Sequence, residues 1–453
     1  MPIDQVERRQ FLKGATIALA ATAAAVRPTA VSIAVAEAAK PALLGGTPVR
    51  TEGFPSWPVF DSAEEELWVE TLRKKAWYRF GGGATNVTDF EKKFAEMLGV
   101  KHCLAIANGT SALIASLNAL DIGPGDEVIV PPYTFSATIN AVFMHHALPV
   151  FVDTDINTFQ IDATKIEAAL TENTRCMIPV HLGGAAYDVD AVAAIATNRN
   201  IAVVEDACQS HLGEWRSMKF GNFGATGCYS FQVSKNISCG DGGAMVTNDD
   251  AIMHAAYAFH SNGRGYPGTK HEGAYARHGA NLRLTEFQGA ILLGQIERVE
   301  AQSKTRETNA AHLTSRIGKV PGITPVKPYE GCTRNAYHLY MFRYDPEQFA
   351  GLSRADFLKA LSAEGIPGST GYRKLNEEPY IRERVTSRTY MKVYGKKRID
   401  EYLERIPCPE NDKVTEQAVW FTQNMLLGPR EDMDQIADAI EKIHAHAKDL
   451  VNA

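Results

Sequence analysis

The chain has no basic excess: 47 Lys and Arg stand against 53 Asp and Glu, a net charge of −6. That balance excludes the electropositive surface on which nucleic-acid binding depends. Its seven cysteines, at 103, 176, 208, 228, 239, 332 and 408, are scattered and odd in number, with no CxxC pair. They supply neither a disulfide framework nor a zinc spacing and read as small buried hydrophobes. No apolar run reaches the ~20 residues a membrane span requires. No repeat of fixed period appears, and there is no low-complexity tract beyond the N-terminus. Solenoid, collagen, coiled coil and disorder are thereby excluded. What remains is an ordinary globular composition, 45% hydrophobic and 22% charged over 453 residues, a length that calls for two or three domains.

The N-terminus reads as an address. Arg8-Arg9-Gln10-Phe11-Leu12-Lys13 precedes an uncharged Ala-rich run from Gly14 to Val26, and the segment resembles a twin-arginine export signal, with Ala34-Val35-Ala36 or Ala36-Glu37-Ala38 as cleavage site. The expected location is the periplasm or beyond; a basic tail on a cytoplasmic protein is the alternative. Twin-arginine export carries proteins already folded, often around a cofactor.

Past residue 60 the chain alternates β-branched apolar runs with stretches of helical length. Glu127–Val130, Leu148–Val152, Cys176–Val180 and Ile201–Val204 read as strands, and 162–170 and 188–196 as helices. Continuous apolar strands with helices between them predict a mostly parallel sheet covered on both faces, with ligands at the carboxyl ends of its strands. From about 325 the pattern changes to an alternating strand over 337–343, a helix over 356–364 and a closing amphipathic helix with Ile436, Ile440 and Ile443 on one face. The expected organisation is an export signal over 1–36, a linker or arm over 37–60, a large α/β domain over 61–325 and a smaller α+β domain over 326–453.

Four signals fall at strand ends or loop starts. In Ala107-Asn-Gly-Thr-Ser-Ala-Leu113 a strand stops at Gly109, and Thr110 and Ser111 open a helix. Free amides and the positive dipole end there bind phosphate, and hydroxyls add donors; a plain N-cap gives the same pattern. In Val203-Val-Glu-Asp-Ala-Cys-Gln209, Asp206 follows a buried strand, where an unpaired carboxylate is costly. A cationic partner would hold it ionised and be held protonated in return; a helix cap is the other reading. In Gly227-Cys-Tyr-Ser-Phe-Gln-Val-Ser-Lys235, a strand ending at Ser230 leads to Lys235 and then to Gly240-Asp-Gly-Gly243. A desolvated lysine with a lowered pKa is a good nucleophile toward an aldehyde. In Pro131-Pro-Tyr-Thr-Phe-Ser136, Phe135 is placed either to stack on a planar ring or to pack in the core. A phosphate cradle, a carboxylate, a lysine and an aromatic platform are the groups pyridoxal 5'-phosphate (PLP) requires.

Asn108–Leu113, Glu205–His211, Ser230–Lys235 and Gly279-Ala-Asn-Leu-Arg283 resemble the DegT/StrS family of PLP-dependent sugar aminotransferases, in the family's order and spacing from about Phe54 to the C-terminus. Trp57-Pro58, Ala418–Phe421 and Leu427-Gly428 are most similar to its branch of glutamine-dependent scyllo-inosose aminotransferases and aminohydroxybenzoate synthases. The resemblance implies the aspartate-aminotransferase-like (type I) fold and a homodimer with shared active sites. It implies Lys235 as the lysine bonded to the cofactor, Asp206 as partner of the pyridine nitrogen and Gln209 as partner of the phenolic oxygen. It also implies Gly109, Thr110, Ser111 and Ser230 as phosphate ligands, Phe135 as stacking ring and Asn281 as a residue reaching the neighbouring subunit's cofactor phosphate. Asp241 departs from the family, which has Glu there.

The expected activity is transfer of an amino group from glutamate or glutamine to a keto-sugar or keto-cyclitol by a ping-pong mechanism. Relatives that dehydrate deoxysugars have His at the position of Lys235, which argues for transamination. A PLP-dependent dehydratase or aromatising synthase of the aminohydroxybenzoate type, and a non-catalytic module binding an aminosugar–PLP adduct, are the alternatives. His211, Tyr337-His338 and Tyr372-Arg373 are further pocket candidates without an assigned role. Neither His145-His146 nor His444-x-His446 puts two imidazoles on one helix face, so no metal is expected.

Overall fold

Each central strand splits its side chains between two cores, because successive residues of a strand point to opposite faces. A computed structural model describes residues 40–453; the Arg8-Arg9 segment and both candidate cleavage sites lie outside them. In chain order the strands are β1 (His102–Ile106), β2 (Glu127–Val130), β3 (Leu148–Phe151), β4 (Thr174–Met177), β5 (Ala202–Asp206), β6 (Glu214–Trp215), β7 (Met218–Lys219), β8 (Thr226–Ser230), β9 (Gly243–Thr247), β10 (Ile323–Pro325), β11 (Cys332–Arg334), β12 (Leu339–Tyr344) and β13 (Ala418–Thr422). Val128 and Val130 join Leu104, Ile106 and Val204 in one core, while Ile129 joins Cys103, Ala105 and Val203 in the other. Both faces are therefore dry, as a parallel sheet requires.

The main sheet has seven strands in the order β1-β9-β8-β5-β4-β2-β3. β9 is antiparallel to both neighbours, and the other pairs are parallel. The carboxyl ends of β1, β2, β5 and β8 consequently open on one edge, where Asn108, Phe135, Asp206 and Ser230 emerge. β10, β12 and β13 form a separate antiparallel sheet, and β11 pairs with the β6–β7 hairpin. The smaller sheet thus begins at Ile323, just ahead of residue 326.

Helices α1 (Ser62–Lys74), α2 (Asn86–Leu98), α3 (Gly109–Ala119), α4 (Ala137–Met144), α5 (Val189–Arg199) and α6 (Asp250–His260) surround the main sheet; α7 runs over Glu286–Ile317. The stretch expected as a helix over 162–170 forms only a 3-10 turn and one α turn. Thr285 and Gln288 close a reciprocal cap at the start of α7, satisfying amides the helix leaves free. Leu292 and Val299 of α7 enter the large core, and Ala310, Leu313 and Ile317 enter the core of the small sheet. One continuous helix therefore fixes the two cores to each other. Residues 375–408 turn back from the C-terminal region, and Leu375, Ile381, Val385, Tyr390 and Ile399 pack on the large core.

The end of β5 is held by a buried carboxylate. Glu205 accepts from the amides of Gly221 (2.9 Å), Phe223 (2.6 Å) and Gly224 (2.7 Å) and meets His181 Nε2 at 3.0 Å. His181 stacks on Phe220, and its amide donates to the Asp206 carbonyl. Glu205→Ala would strand three amides and is expected to cost on the order of 3–5 kcal/mol, measurable by urea unfolding; a loss below about 1 kcal/mol would show that the clamp carries little of the fold.

Candidate active site

The shared strand edge opens into a cavity of about 750 Å³, closed on its other side by residues of β12, β13 and the N-terminal arm. Gly109, Thr110, Phe135, Asp206, Gln209, Ser230 and Lys235 all line it, so seven of the nine residues singled out in the sequence converge. Ser111 and Asn281 do not reach this wall. Ser111 lies one step further round α3, and its amide is spent on the Asn108 side chain (2.8 Å). Asn281 is exposed on an extended segment paired with Ser261.

The helix start is built for close approach. A Cβ at Gly109 would stand 2.8 Å from Cys208 Sγ and 2.9 Å from Ser230 Cβ, and one at Gly243 would collide with the Asn108 backbone. Only glycine at these positions lets α3 begin against the ends of β5, β8 and β9. The amides of Gly109 and Thr110 meet no acceptor among the described residues, while those of Ser111 and Ala112 go to Asn108. Two free amides at a helix start make an anion cradle.

Asp206 is buried and accepts from the Thr138 hydroxyl (2.8 Å) and the Cys208 amide (3.2 Å). No cation of the described chain pairs with it. Lys235 lies on the same cavity without a salt bridge; its nearest polar contact is His338 Nε2 at 3.4 Å. Burial lowers the Lys235 pKa from its ordinary value, against smaller upward pulls from Cys208 and Asp206. That favours the neutral amine, the nucleophilic form. Gln209 accepts from the Gly183 amide (2.8 Å) and donates to the Tyr372 hydroxyl (2.9 Å), which fixes its side chain on the wall. Phe135 is 58% exposed there, so it does not belong to the core and leaves a ring face free for stacking. The Asp241 side of the Gly240–Gly243 turn is held by Gln288, which donates to the Asp241 carbonyl at 2.6 Å.

Thr138 and Gln423 carry no signal in the sequence, and the arm carries little. Trp57 lines the cavity and donates from Nε1 to the Val233 carbonyl (2.8 Å), and Asn424 donates to the Pro55 carbonyl (2.9 Å). His338 and Tyr372 reach the wall from the C-terminal region, whereas Arg373 stays exposed. Trp57, His338 and Tyr372 are marked in the sequence without an assigned role, whereas Thr138, Gln423 and Asn424 come from segments with no local motif.

A buried carboxylate without a cation and a buried amine without an acid, among the described residues, line one cavity with a free amide cradle. A pyridinium nitrogen, an aldehyde and a phosphate fit them, and PLP carries all three. Fold and cavity define a PLP-dependent transferase. The chain belongs to the DegT/DnrJ/EryC1/StrS aminotransferase family, whose model matches residues 60–397, and PLP is its cofactor. It is 32% identical over 420 residues to the L-glutamine:2-deoxy-scyllo-inosose aminotransferase of Streptoalloteichus tenebrarius, and likewise 32% over 420 residues to the L-glutamine:scyllo-inosose aminotransferase of Streptomyces griseus. Each alignment covers 90% of this chain and 98% of the relative. The crystal structure of 3-amino-5-hydroxybenzoic acid synthase superposes with a TM-score of 0.76 at 29% identity, covering 89% of this chain and all of that one. No helix among the described residues is long and apolar enough to cross a membrane.

His211 is buried against the rings of Tyr229 and Phe231. Burial, reinforced by the charge of Lys235, lowers its pKa to about 3. A histidine whose folded pKa lies below the unfolded ~6.5 contributes stability in full above that value. The contribution is lost as the pH falls toward the folded pKa. His211→Phe is expected to reduce the acid-side slope of unfolding free energy by up to about 1.4 kcal/mol per pH unit. Urea titrations between pH 7 and 4 check this, and identical slopes in both proteins would contradict it.

Proposed function

We propose that the chain transfers an amino group from L-glutamine, or from glutamate, to a keto-cyclitol of the scyllo-inosose kind, a member of the broader keto-sugar class. The observation that carries the reading is the buried carboxylate of Asp206 and the buried amine of Lys235, neither ion-paired among the described residues, on one cavity beside the free amides of Gly109 and Thr110. Near-full-length similarity to two glutamine-dependent inosose aminotransferases supports the substrate class. So does the outer wall, where Ser234, Ser369, Thr422 and Asn424 offer hydroxyls and amides to a neutral polyol, and Trp57 and Trp420 offer apolar faces.

PLP, when bound, supplies the electron sink that makes loss of a proton from the substrate carbon feasible. Gly109, Thr110 and Ser230 would hold its phosphate, Phe135 would stack on its ring and Gln209 would meet its phenolic oxygen. Asp206, with one oxygen on the Thr138 hydroxyl and the other on the Cys208 amide, would face the ring nitrogen and favour its protonated form. Lys235 Nζ, whose pKa burial lowers, takes the proton from the donor's α-carbon and returns one on the neighbouring carbon, serving as base and then acid. With the acceptor bound the same amine runs the sequence in reverse, so donor and acceptor use the site in turn.

Two readings extend beyond the single chain. Asn281 is exposed and does not line its own cavity, and Tyr78, Phe80 and Tyr275 are exposed aromatic residues. These features suit a second copy, whose cavity Asn281 would complete. The Arg8-Arg9-x-Phe-Leu-Lys segment supports export. Cell fractionation is expected to place the wild type outside the cytoplasm and an Arg8→Lys/Arg9→Lys variant inside it; an unchanged distribution would remove the export reading.

Lys235→Ala is expected to lower nitrogen transfer by at least about a thousandfold and to abolish the pyridoxyl group that borohydride fixes on the wild-type chain, as read by peptide mass spectrometry. Full turnover in that variant would overturn the assignment. Product analysis with a keto-cyclitol separates the aromatising alternative, which yields loss of water without net nitrogen transfer. A chain that binds cofactor yet exchanges no nitrogen with any donor would be the non-catalytic module.

A further inference from the structure

Arg306 stands in the C-terminal half of α7 with its side chain fully buried and no carboxylate within ion-pair distance among the described residues. Its Nε and Nη2 both donate to one neutral oxygen, Gln423 Oε1, at 3.0 and 2.5 Å. Its Nη1 is buried with no hydrogen-bond partner among the described residues. The guanidinium lies 5.4 Å from the ring centre of Trp57, and Trp57 and Gln423 both line the cavity. Every other deeply buried arginine here is paired: Arg50 with Asp432 and Arg79 with Glu91. Burial without a counter-charge lowers even this pKa, to about 9.

A buried cation left without an anion destabilises the fold unless something else supplies the charge, and such exceptions to polar satisfaction cluster at functional sites. The anion in question is narrowly limited. The cofactor phosphate is assigned above to the start of α3, and a keto-cyclitol is uncharged. The amino donor is the one reactant that brings a carboxylate. A guanidinium edge offers two parallel donors to a carboxylate's two oxygens; here both converge on one amide oxygen, a neutral stand-in. The position suits the chemistry: the charge of Arg306 is felt at His338, whose Nε2 lies 3.4 Å from Lys235 Nζ. The two contacts of Arg306, Gln423 and Trp57, line the same cavity as Lys235.

We propose that Arg306 and Gln423, walled by Trp57, form the subsite that takes the carboxylate of the amino donor. The proposal rests on the amino-transfer reading above. The entering carboxylate replaces Gln423 Oε1 on the Nε–Nη2 edge, and the released Gln423 amide turns to donate to it. Trp57 then shields the pair from water, which strengthens the interaction. The acceptor makes no use of this charge, so the subsite discriminates between the two substrates that share one cavity.

The test compares wild-type holoenzyme with Arg306→Met and Arg306→Lys. By calorimetry, the wild type is expected to bind glutarate at least about tenfold more tightly than the uncharged glutaramide; this comparison needs no variant. Arg306→Met is expected to lose that preference and to raise the half-saturating L-glutamine concentration by about 10- to 100-fold, with half-saturating keto-cyclitol changed less than about twofold. Arg306→Lys should recover part of the glutarate preference. Thermal unfolding of Arg306→Met should be no easier than that of the wild type, because an uncompensated charge has been removed; a purely structural role would lower its stability and leave the glutarate preference intact. Equal affinity for glutarate and glutaramide in the wild type, or unchanged L-glutamine saturation in Arg306→Met, overturns the subsite alone. Failure of the wild type to take nitrogen from any amino acid overturns the amino-transfer reading and the subsite with it.

Discussion

The architecture turns on a carboxylate that the chain buries and does not neutralise. Asp206 ends β5 in the middle of the seven-stranded sheet, held by a hydroxyl and an amide but by no cation. A group in that state is tolerable only if its surroundings are rigid and a positive ligand is to be received. The rigidity is visible one residue earlier, where Glu205 gathers three amides and His181 and so fixes the strand end. Two adjacent acids at one strand end thus have opposite assignments. Glu205 is satisfied by the protein and stabilises it, whereas Asp206 lines the cavity without a cation among the described residues.

The same division recurs around the cavity. Arg50 and Arg79 are buried and paired, and they hold elements together; Arg306 is buried and unpaired. The first two amides of α3 are free while the next two are capped by Asn108. Gly109 and Gly243 omit a side chain where one would push the helix from the sheet. In each case the fold forgoes a satisfied interaction next to the cavity and recovers stability in the two cores that α7 joins.

Much of the fold was legible because parallel strands buried on both faces are continuous apolar runs, and β2, β3 and β5 fall within a few residues of where those runs lie. The 162–170 stretch was less so: Asp162 accepts from the Thr164 amide and hydroxyl, a local arrangement that favours a 3-10 turn over a longer helix. The reversed course of β9 and the return of residues 375–408 to the large core could not be read, since nothing local distinguishes a strand's direction or the surface an amphipathic helix will choose. Seven of the nine singled-out site residues meet on one wall, because each sits at or just after a strand that ends on the same edge. Ser111 stands apart for a helical reason, about 100° of rotation from its neighbour.

By itself the sequence determined the parts whose chemistry is local: an amide cradle where a strand yields to a helix, an acid directly after an apolar strand, and a lysine between a strand and a glycine-rich turn. Such features need only a few consecutive residues, and their meaning survives without coordinates. Tertiary structure alone decided which groups those parts would face. Thr138 reaches Asp206 across 68 positions, His338 reaches Lys235 across 103, and Gln423 reaches Arg306 across 117. These pairings, and the missing partner of Arg306, follow from how the sheets and α7 pack, a long-range outcome that no spacing along the chain encodes.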